Sequence, residues 1–484
     1  TIRLSRTNVP TQDVGSINLG TLNQLNDSNA SQNALQSLFG RLNYSFKERY
    51  LLEGNFRYDG SSRFDKALRW NTFLSGSAGW IFSKERFFEP LARFIEFGKI
   101  RASYGTQGND KVGSDFAYLA AIGSVATMPI GNVITVGYRQ TGIPNALLTW
   151  ESVIKKDIGI DLTMLNNRLS VTADYYHNTT NNILLEVPLP DVLGTGYPPQ
   201  NAGKVENKGW EFQMGWKDNI NEFTYGANFN ISDVKNKVLN LGDAPATIAD
   251  RVRMVGYPID AFYGFIADRI SQVSDYTYDA GTNKYTPNFP FDSSYPMQPG
   301  DIMFRDLNGD GRITPADDRQ VIGNAIPRYT YGFRGNLGYK GIDFSFFIQG
   351  VGKADGLITG GARHALINDS SNPQAVHMDR WTPENTGASY PRLAYGYSYN
   401  QRLSTYWLED ASYLRVKNVQ MGYTFPKRWT EKLHVDRLRF YASADNLFTS
   451  SDYFYGYDPE TPVASGGFYP QVKTFIFGLN INFK

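Results

Sequence analysis

Apolar and polar positions alternate along much of this chain with a period of two. From Arg437 to Asp445, Leu438, Phe440, Ala442 and Ala444 point one way, while Arg437, Arg439, Tyr441, Ser443 and Asp445 point the other. Leu169, Val171, Ala173 and Tyr175 alternate in the same way with Ser170, Thr172, Asp174 and Tyr176. Tyr329, Tyr331, Phe333, Leu337 and Tyr339 are set against Arg328, Thr330, Arg334, Asn336 and Lys340. Such alternation marks strands with one apolar and one wet face. It predicts about thirteen strands, near 36–46, 50–60, 70–82, 97–107, 150–163, 168–179, 205–218, 222–233, 328–340, 342–351, 412–424, 436–447 and 472–483. Each is roughly ten residues long, the length of a tilted strand that crosses a bilayer.

The connections sort by length. Lys47–Arg49, Asn166–Asn167, Asp218–Asn221 and Lys340–Gly341 are tight turns, and 83–96 and 425–435 are long enough for a helical turn. Between them stand long loops at 108–149, 234–327 and 352–411. Short turns at one end and long loops at the other are the layout of an outer-membrane barrel, and a soluble β-sandwich has no reason to sort its loops so. The expected fold is therefore all-β, an antiparallel transmembrane β-barrel with short periplasmic turns and long extracellular loops. Under that reading the first and last strands run in the same direction and could not pair antiparallel to close a barrel. An open edge in lipid leaves backbone groups unpaired. The expectation is that earlier strands precede residue 36, that 1–35 is the end of an extracellular loop or a preceding segment, and that 36–484 is the later part of a barrel.

Composition narrows the function. Aromatic residues make up 14%, with 31 Tyr and 31 Phe, in a chain whose mean hydropathy is −0.40. Aromatic girdles around a polar lumen produce that combination, although sheet cores of a soluble protein would too. A net charge of +1 without a Lys/Arg run argues against nucleic-acid partners. The absence of cysteine removes disulfide, thiolate and cysteine–zinc chemistry. The four histidines (His177, His364, His377, His434) have no metal-binding spacing, and neither a nucleophile elbow nor a phosphate loop is present. No enzyme is indicated.

One stretch has the spacing of a calcium loop. Asp306, Asn308 and Asp310 occupy positions 1, 3 and 5, Gly311 the sharp turn at 6, the Arg312 carbonyl position 7 and Asp317 position 12. Pro296, Pro299 and Gly300 precede it, so it is not a full helix–loop–helix hand. Ca²⁺ and a cluster of Asx-turns closing the loop on its own backbone are equally good readings. The aromatic stretch Tyr276, Tyr278, Tyr285, Phe289, Phe291 and Tyr295 could stack on a sugar or peptide, but packing between loops is the simpler expectation. Trp381, in Arg380–Asn385, reads first as part of a rigid turn.

Several stretches together resemble one family. They are Gln200–Glu211 (QNAGKVENKGWE), Gly300–Gly311 (GDIMFRDLNGDG) with Ile322–Asn324 and Pro327–Gly332, Trp381–Asn385 with Tyr390–Arg392, Tyr413–Val419 with Gly422–Pro426, and Asp445–Phe448 with Gly456–Glu460. In this order, from about Leu38 to Phe483, they are similar to the SusC/RagA family of TonB-linked outer-membrane transporters of Bacteroidetes. The resemblance implies a 22-stranded barrel with an N-terminal plug, a TonB-contacting segment, a SusD-like lipoprotein lid over the outer loops, and import of a glycan or peptide too large for porins. Plug, TonB box and roughly the first nine strands have no counterpart in this sequence, and Lys484 follows the terminal aromatic that resembles an assembly signal. Two other readings stay open: a binding-only surface receptor, and a soluble calcium-stabilised carbohydrate-binding or hydrolytic β-protein.

Overall fold

A computed structural model describes residues 32–113, 115, 117–130, 133–140, 142–186, 199–244, 246–248, 250–367, 371–431, 434–454, 456–461, 463–464 and 471–483. The expectation for residues 1–35 therefore lies almost wholly outside the described residues. The dominant feature is one antiparallel sheet of 13 strands joined in chain order. They are β1 (Leu35–Phe46), β2 (Tyr50–Ser61), β3 (Trp70–Trp80), β4 (Ile95–Asn109), β5 (Glu151–Met164), β6 (Leu169–Glu186), β7 (Pro199–Ile220), β8 (Phe223–Asn240), β9 (Arg328–Tyr339), β10 (Ile342–Lys353), β11 (Tyr413–Thr424), β12 (Val435–Ser450) and β13 (Thr474–Phe483). Every strand predicted from alternation is present.

Register turns alternation into faces. Phe333 of β9 pairs with Phe229 of β8 and Ile348 of β10, and Leu337 pairs with Tyr225 and Phe344. The row continues through Met421 on β11, Ala442 on β12 and Phe477 on β13. In the other direction Met214, Val171 and Leu162 of β7, β6 and β5 continue it. This apolar face is bare: Leu42, Phe475 and Phe477 are 74%, 63% and 74% exposed. The opposite face carries Arg101, Asp157, Asp174, Asn228, Asn336, Ser345 and Ser443. A sheet that is apolar outside and polar inside is the wall of a membrane barrel. No helix among the described residues is long and apolar enough to cross a membrane.

The turns follow local chemistry. Lys340 and Gly341 both have positive φ, 48° and 85°, as a two-residue hairpin requires. A Cβ at Gly341 would stand 2.6 Å from the Thr424 carbonyl oxygen, so glycine is needed there for space as well. The two longer turns hold the expected short helices, 3₁₀ at Phe82–Lys84 and Arg86–Leu91 and α at Lys427–Thr430.

At the other end of the sheet, the segments 241–327 and 354–412 fold into a cap with its own interior. The strands Ala261–Phe265 and Arg319–Gly323 pair, as do Ala267–Ile270 with Ile302–Phe304, and Asp355–Ile358 with Leu408–Asp410. Phe262, Ile302, Ile313, Tyr399 and Trp407 form its buried core. The two segments are zipped together: Phe265 N–H donates to the Leu403 carbonyl at 2.9 Å, and Thr405 N–H donates to the Phe265 carbonyl at 3.0 Å.

Candidate functional site

The calcium-like loop closes on itself. The Asp306 carboxylate accepts the N–H groups of Gly309 at 2.6 Å and Gly311 at 2.7 Å. Asn308 Oδ1 accepts from Asp310 N–H at 3.1 Å, and Asp310 Oδ1 accepts from Arg312 N–H at 2.8 Å. Asp317 Oδ2 accepts the Thr314 hydroxyl at 2.9 Å. The Gly311 N–H, helped by those of Gly309, Asp310 and Asn308, holds the Asp306 carboxyl below its ordinary range against the opposing effect of desolvation. Spacing alone missed Asp318, one residue past position 12. It is fully buried and accepts Leu307 N–H at 2.8 Å and Thr314 N–H at 2.6 Å, tying the two ends of the loop together. Among the described residues no three His, Cys, Asp or Glu side chains gather as metal ligands. Asp306, Asn308 and Asp310 thus turn oxygens onto the loop's own N–H groups, and Asp317 turns one onto the Thr314 hydroxyl.

Behind this loop lies the polar centre of the cap. Asp301 is 0% exposed, and charge burial of that kind is tolerated only when the group is paired and fully hydrogen-bonded. Its partners come from far along the chain: Arg392, an ion pair with Nε at 2.7 Å and Nη2 donating at 3.2 Å, Asn400 Nδ2 at 2.8 Å and the Tyr397 hydroxyl at 2.9 Å, with Gln298 N–H at 2.9 Å beside it. Asn400 in turn accepts Ile302 N–H at 2.9 Å. Asp301 thus joins the two segments of the cap from inside. It lies within Gly300–Gly311, one of the stretches that carries the family resemblance.

The aromatic stretch packs inward as the simpler expectation had it. Tyr276 is buried edge-on to Tyr285 and Phe289, its hydroxyl donating to the Gln298 carbonyl at 2.8 Å, whereas Tyr278 stays exposed. Trp381 is buried, with Nε1 donating to Gln272 Oε1 at 3.0 Å. The histidines serve local structure. His177 Nε2 lies 2.8 Å from Glu206, His377 Nδ1 accepts Gln374 N–H at 2.9 Å, and His364 meets Trp407 edge-on. Burial pushes the His364 imidazole down to about 4, with the Arg363 and His377 charges adding to the effect.

Charges on the polar face of the sheet escaped the sequence reading as a group. Arg101 of β4 meets Asp174 at 2.6 Å, Asp161 at 3.1 Å and Asp157 at 3.3 Å, from the two next strands. Arg439 of β12 reaches Asp343 of β10 across β11, its Nε donating at 2.9 Å. Toward the cap end, Arg415 of β11 is buried against Asp458 at 2.6 Å and Glu460 at 2.9 Å. Lys417 adds a contact to Glu460 at 2.7 Å, so the segment after β12 is pinned to the wall. The signal was present in the wet positions of the strands, but only register shows which of them meet.

Over residues 3–447 the chain matches the family described as TonB dependent receptor-like, beta-barrel. The TonB-dependent receptor P3 of Formosa agariphila is 33% identical over 489 residues, covering 96% of this chain and 47% of its own length. The TonB-dependent receptor SusC of Bacteroides thetaiotaomicron is 30% identical over 474 residues, covering 94% of this chain and 44% of its own. Among solved structures, the RagAB peptide transporter shares the fold at a TM-score of 0.76 and 23% identity, covering 97% of this chain and 50% of that one. The chain spans about half the length of the curated relatives it matches.

Proposed function

The chain belongs to the TonB-dependent receptor family of outer-membrane β-barrels, in its SusC-like branch, and from that premise we propose that it serves the TonB-dependent import of a nutrient too large for porins, an oligosaccharide or a peptide. The observation that carries this reading is the sheet itself. Thirteen strands in chain order present an unbroken apolar face outward and a charged, hydrogen-bonding face inward, below a folded cap. Such a wall isolates a polar path from lipid. Energy for import would come from outside the membrane through TonB, by way of a plug and contact segment belonging to the protein beyond these strands, in a complete barrel of 22. A SusD-like lipoprotein would close over the cap. RagAB is described as a peptide transporter, which makes a peptide substrate a natural first test.

The closed loop at Asp306–Asp317 braces the long excursion 241–327 just before the chain re-enters the membrane at β9. A calcium-type cation, if taken there by Asp306, Asn308, Asp310, the Arg312 carbonyl and Asp317, would add to that brace. The test of the import reading is uptake by cells carrying the whole gene, with and without TonB. Uptake that requires TonB supports import. Uptake indifferent to TonB overturns it, and ligand capture without uptake would mark a surface receptor.

A further inference from the structure

We propose that a cavity within the cap takes an oxyanion, a carboxylate or sulfate group carried by the ligand, on the side chains of Arg319 and Arg402. This subsite deepens the import reading and rests on it. The cavity has a volume of about 210 Å³ and is lined by Tyr263, Asp292, Tyr295, Arg319 and Arg402, with Asp250 at its edge. One arginine comes from each segment of the cap, so the zipper at Phe265 and Leu403 assembles the site.

Both guanidinium groups are held in place before any ligand arrives. Arg402 lies over the Phe265 ring at 4.0 Å and near the Tyr399 ring at 4.9 Å, and its Nη1 donates to Asp292 Oδ2 at 3.0 Å. Its Nη2 is buried and has no hydrogen-bond partner. A buried charged donor left unpaired is destabilising, so an oxygen supplied there would gain a strong, charge-assisted bond. Arg319 lies over Tyr263 at 5.2 Å, its Nε donating to the Pro315 carbonyl at 2.7 Å. Among the described residues its terminal nitrogens make no hydrogen bond. Asp292 already accepts Ser294 N–H at 3.0 Å as well as Arg402, whereas among the described residues the Asp250 carboxylate accepts no hydrogen bond. The lining therefore has a surplus of planar donors, the arrangement that suits a carboxylate or sulfate. Its formal charges cancel, so recognition depends on hydrogen bonds at contact rather than on long-range attraction.

The experiment is isothermal titration of the detergent-purified protein with glucuronate, glucose 6-sulfate and unmodified glucose. We expect at least one of the two acidic sugars to bind roughly tenfold or more tightly than glucose, the difference between the two telling carboxylate from sulfate. Arg319→Gln should lower that affinity by roughly tenfold while Arg319→Lys retains part of it. Arg319 is only partly buried, and an unchanged heat-dependent gel shift will show that the variant still folds. Equal binding of glucose, no binding of either acid, or an unaltered affinity in Arg319→Gln overturns the proposal. Failure here leaves TonB-dependent uptake untouched, and uptake without TonB would overturn the import reading while leaving a positive titration standing.

Discussion

The wall and the cap of this protein solve opposite problems with the same residues. In the cap, Phe262, Ile302 and Trp407 turn inward and are sealed from water, while the buried carboxylate of Asp301 is held by partners from the other segment. In the wall, Phe475 and Phe477 turn outward and stand bare, and the charges face in, where Arg101 gathers three carboxylates. The cap makes its own apolar interior, whereas the wall uses the bilayer as one. The lesson is that exposure of large apolar residues is informative when it is confined to one face of a continuous sheet.

The sharpest way to break the comparison is to place a charge on each side of the wall. Phe477→Arg sets a charge in lipid at a cost of about 2–4 kcal/mol near the bilayer midplane. We expect loss of the heat-modifiable band from the outer-membrane fraction. Ser443→Arg, on the polar face of the neighbouring strand, should assemble normally. Equal assembly of both would mean that the outward face is not in lipid.

Next in size is Asp301→Ala, which strips a buried charge from Arg392 and leaves Tyr397 and Asn400 without their acceptor. Breaking a buried pair costs about 3–5 kcal/mol. The cap should become readily cleaved by protease while the wall keeps its heat-dependent gel shift. Loss of both together would show that the cap is needed for the wall to form.

Acid should weaken the cap through His364. The partly buried His364 has a lowered pKa, so the unfolded state takes up protons below about pH 6.5 that the folded state refuses until about pH 4. Stability from this group is complete above the unfolded value and falls as pH drops through that window, by at most about 3 kcal/mol. Melting of the cap followed between pH 7 and pH 4 should show the decline, and His364→Leu should flatten it.

The smallest effect is expected at the brace. Asp306→Ala with Asp310→Ala removes acceptors for three backbone N–H groups, those of Gly309, Gly311 and Arg312, and should speed hydrogen exchange across 306–318 while the rest of the cap holds. The wild-type loop should also open in strong acid. The Asp306 pKa is depressed, so its contribution is present above the usual carboxylate range and lost as pH falls through the lower folded value. Slowing of exchange by added calcium would show that a cation strengthens the brace. Loss of the wall in the double variant would contradict the role given to the loop.

The wall was legible because its period is local. Alternation placed β11 at 412–424 against Tyr413–Thr424 in the structure. It stopped short where β7 and β8 extend past the lipid to Pro199 and Asn240, since Asn and Lys there carry no apolar signal. The cap was not legible, because its contacts are remote in sequence. Nothing near Asp301 announces Asn400, and nothing near Arg319 announces Arg402. In the calcium-like loop the spacing selected Asp317, yet it is Asp318 that closes the loop, because burial decides which carboxylate turns inward. Loop packing of Tyr276 and Trp381 was foreseen in kind, but their partners Gln298 and Gln272 were not.

The central claim is that adjacent residues of one strand face lipid and water. These 484 residues hold no cysteine, so within them each single substitution supplies the one thiol. Ala442→Cys and Ser443→Cys sit side by side on β12, pointing to the two faces. In the outer membrane, a water-soluble maleimide should label Ser443→Cys and leave Ala442→Cys unlabelled until the membrane is dissolved and the protein denatured. Equal labelling of the two, or preferential labelling of Ala442→Cys, would contradict the account.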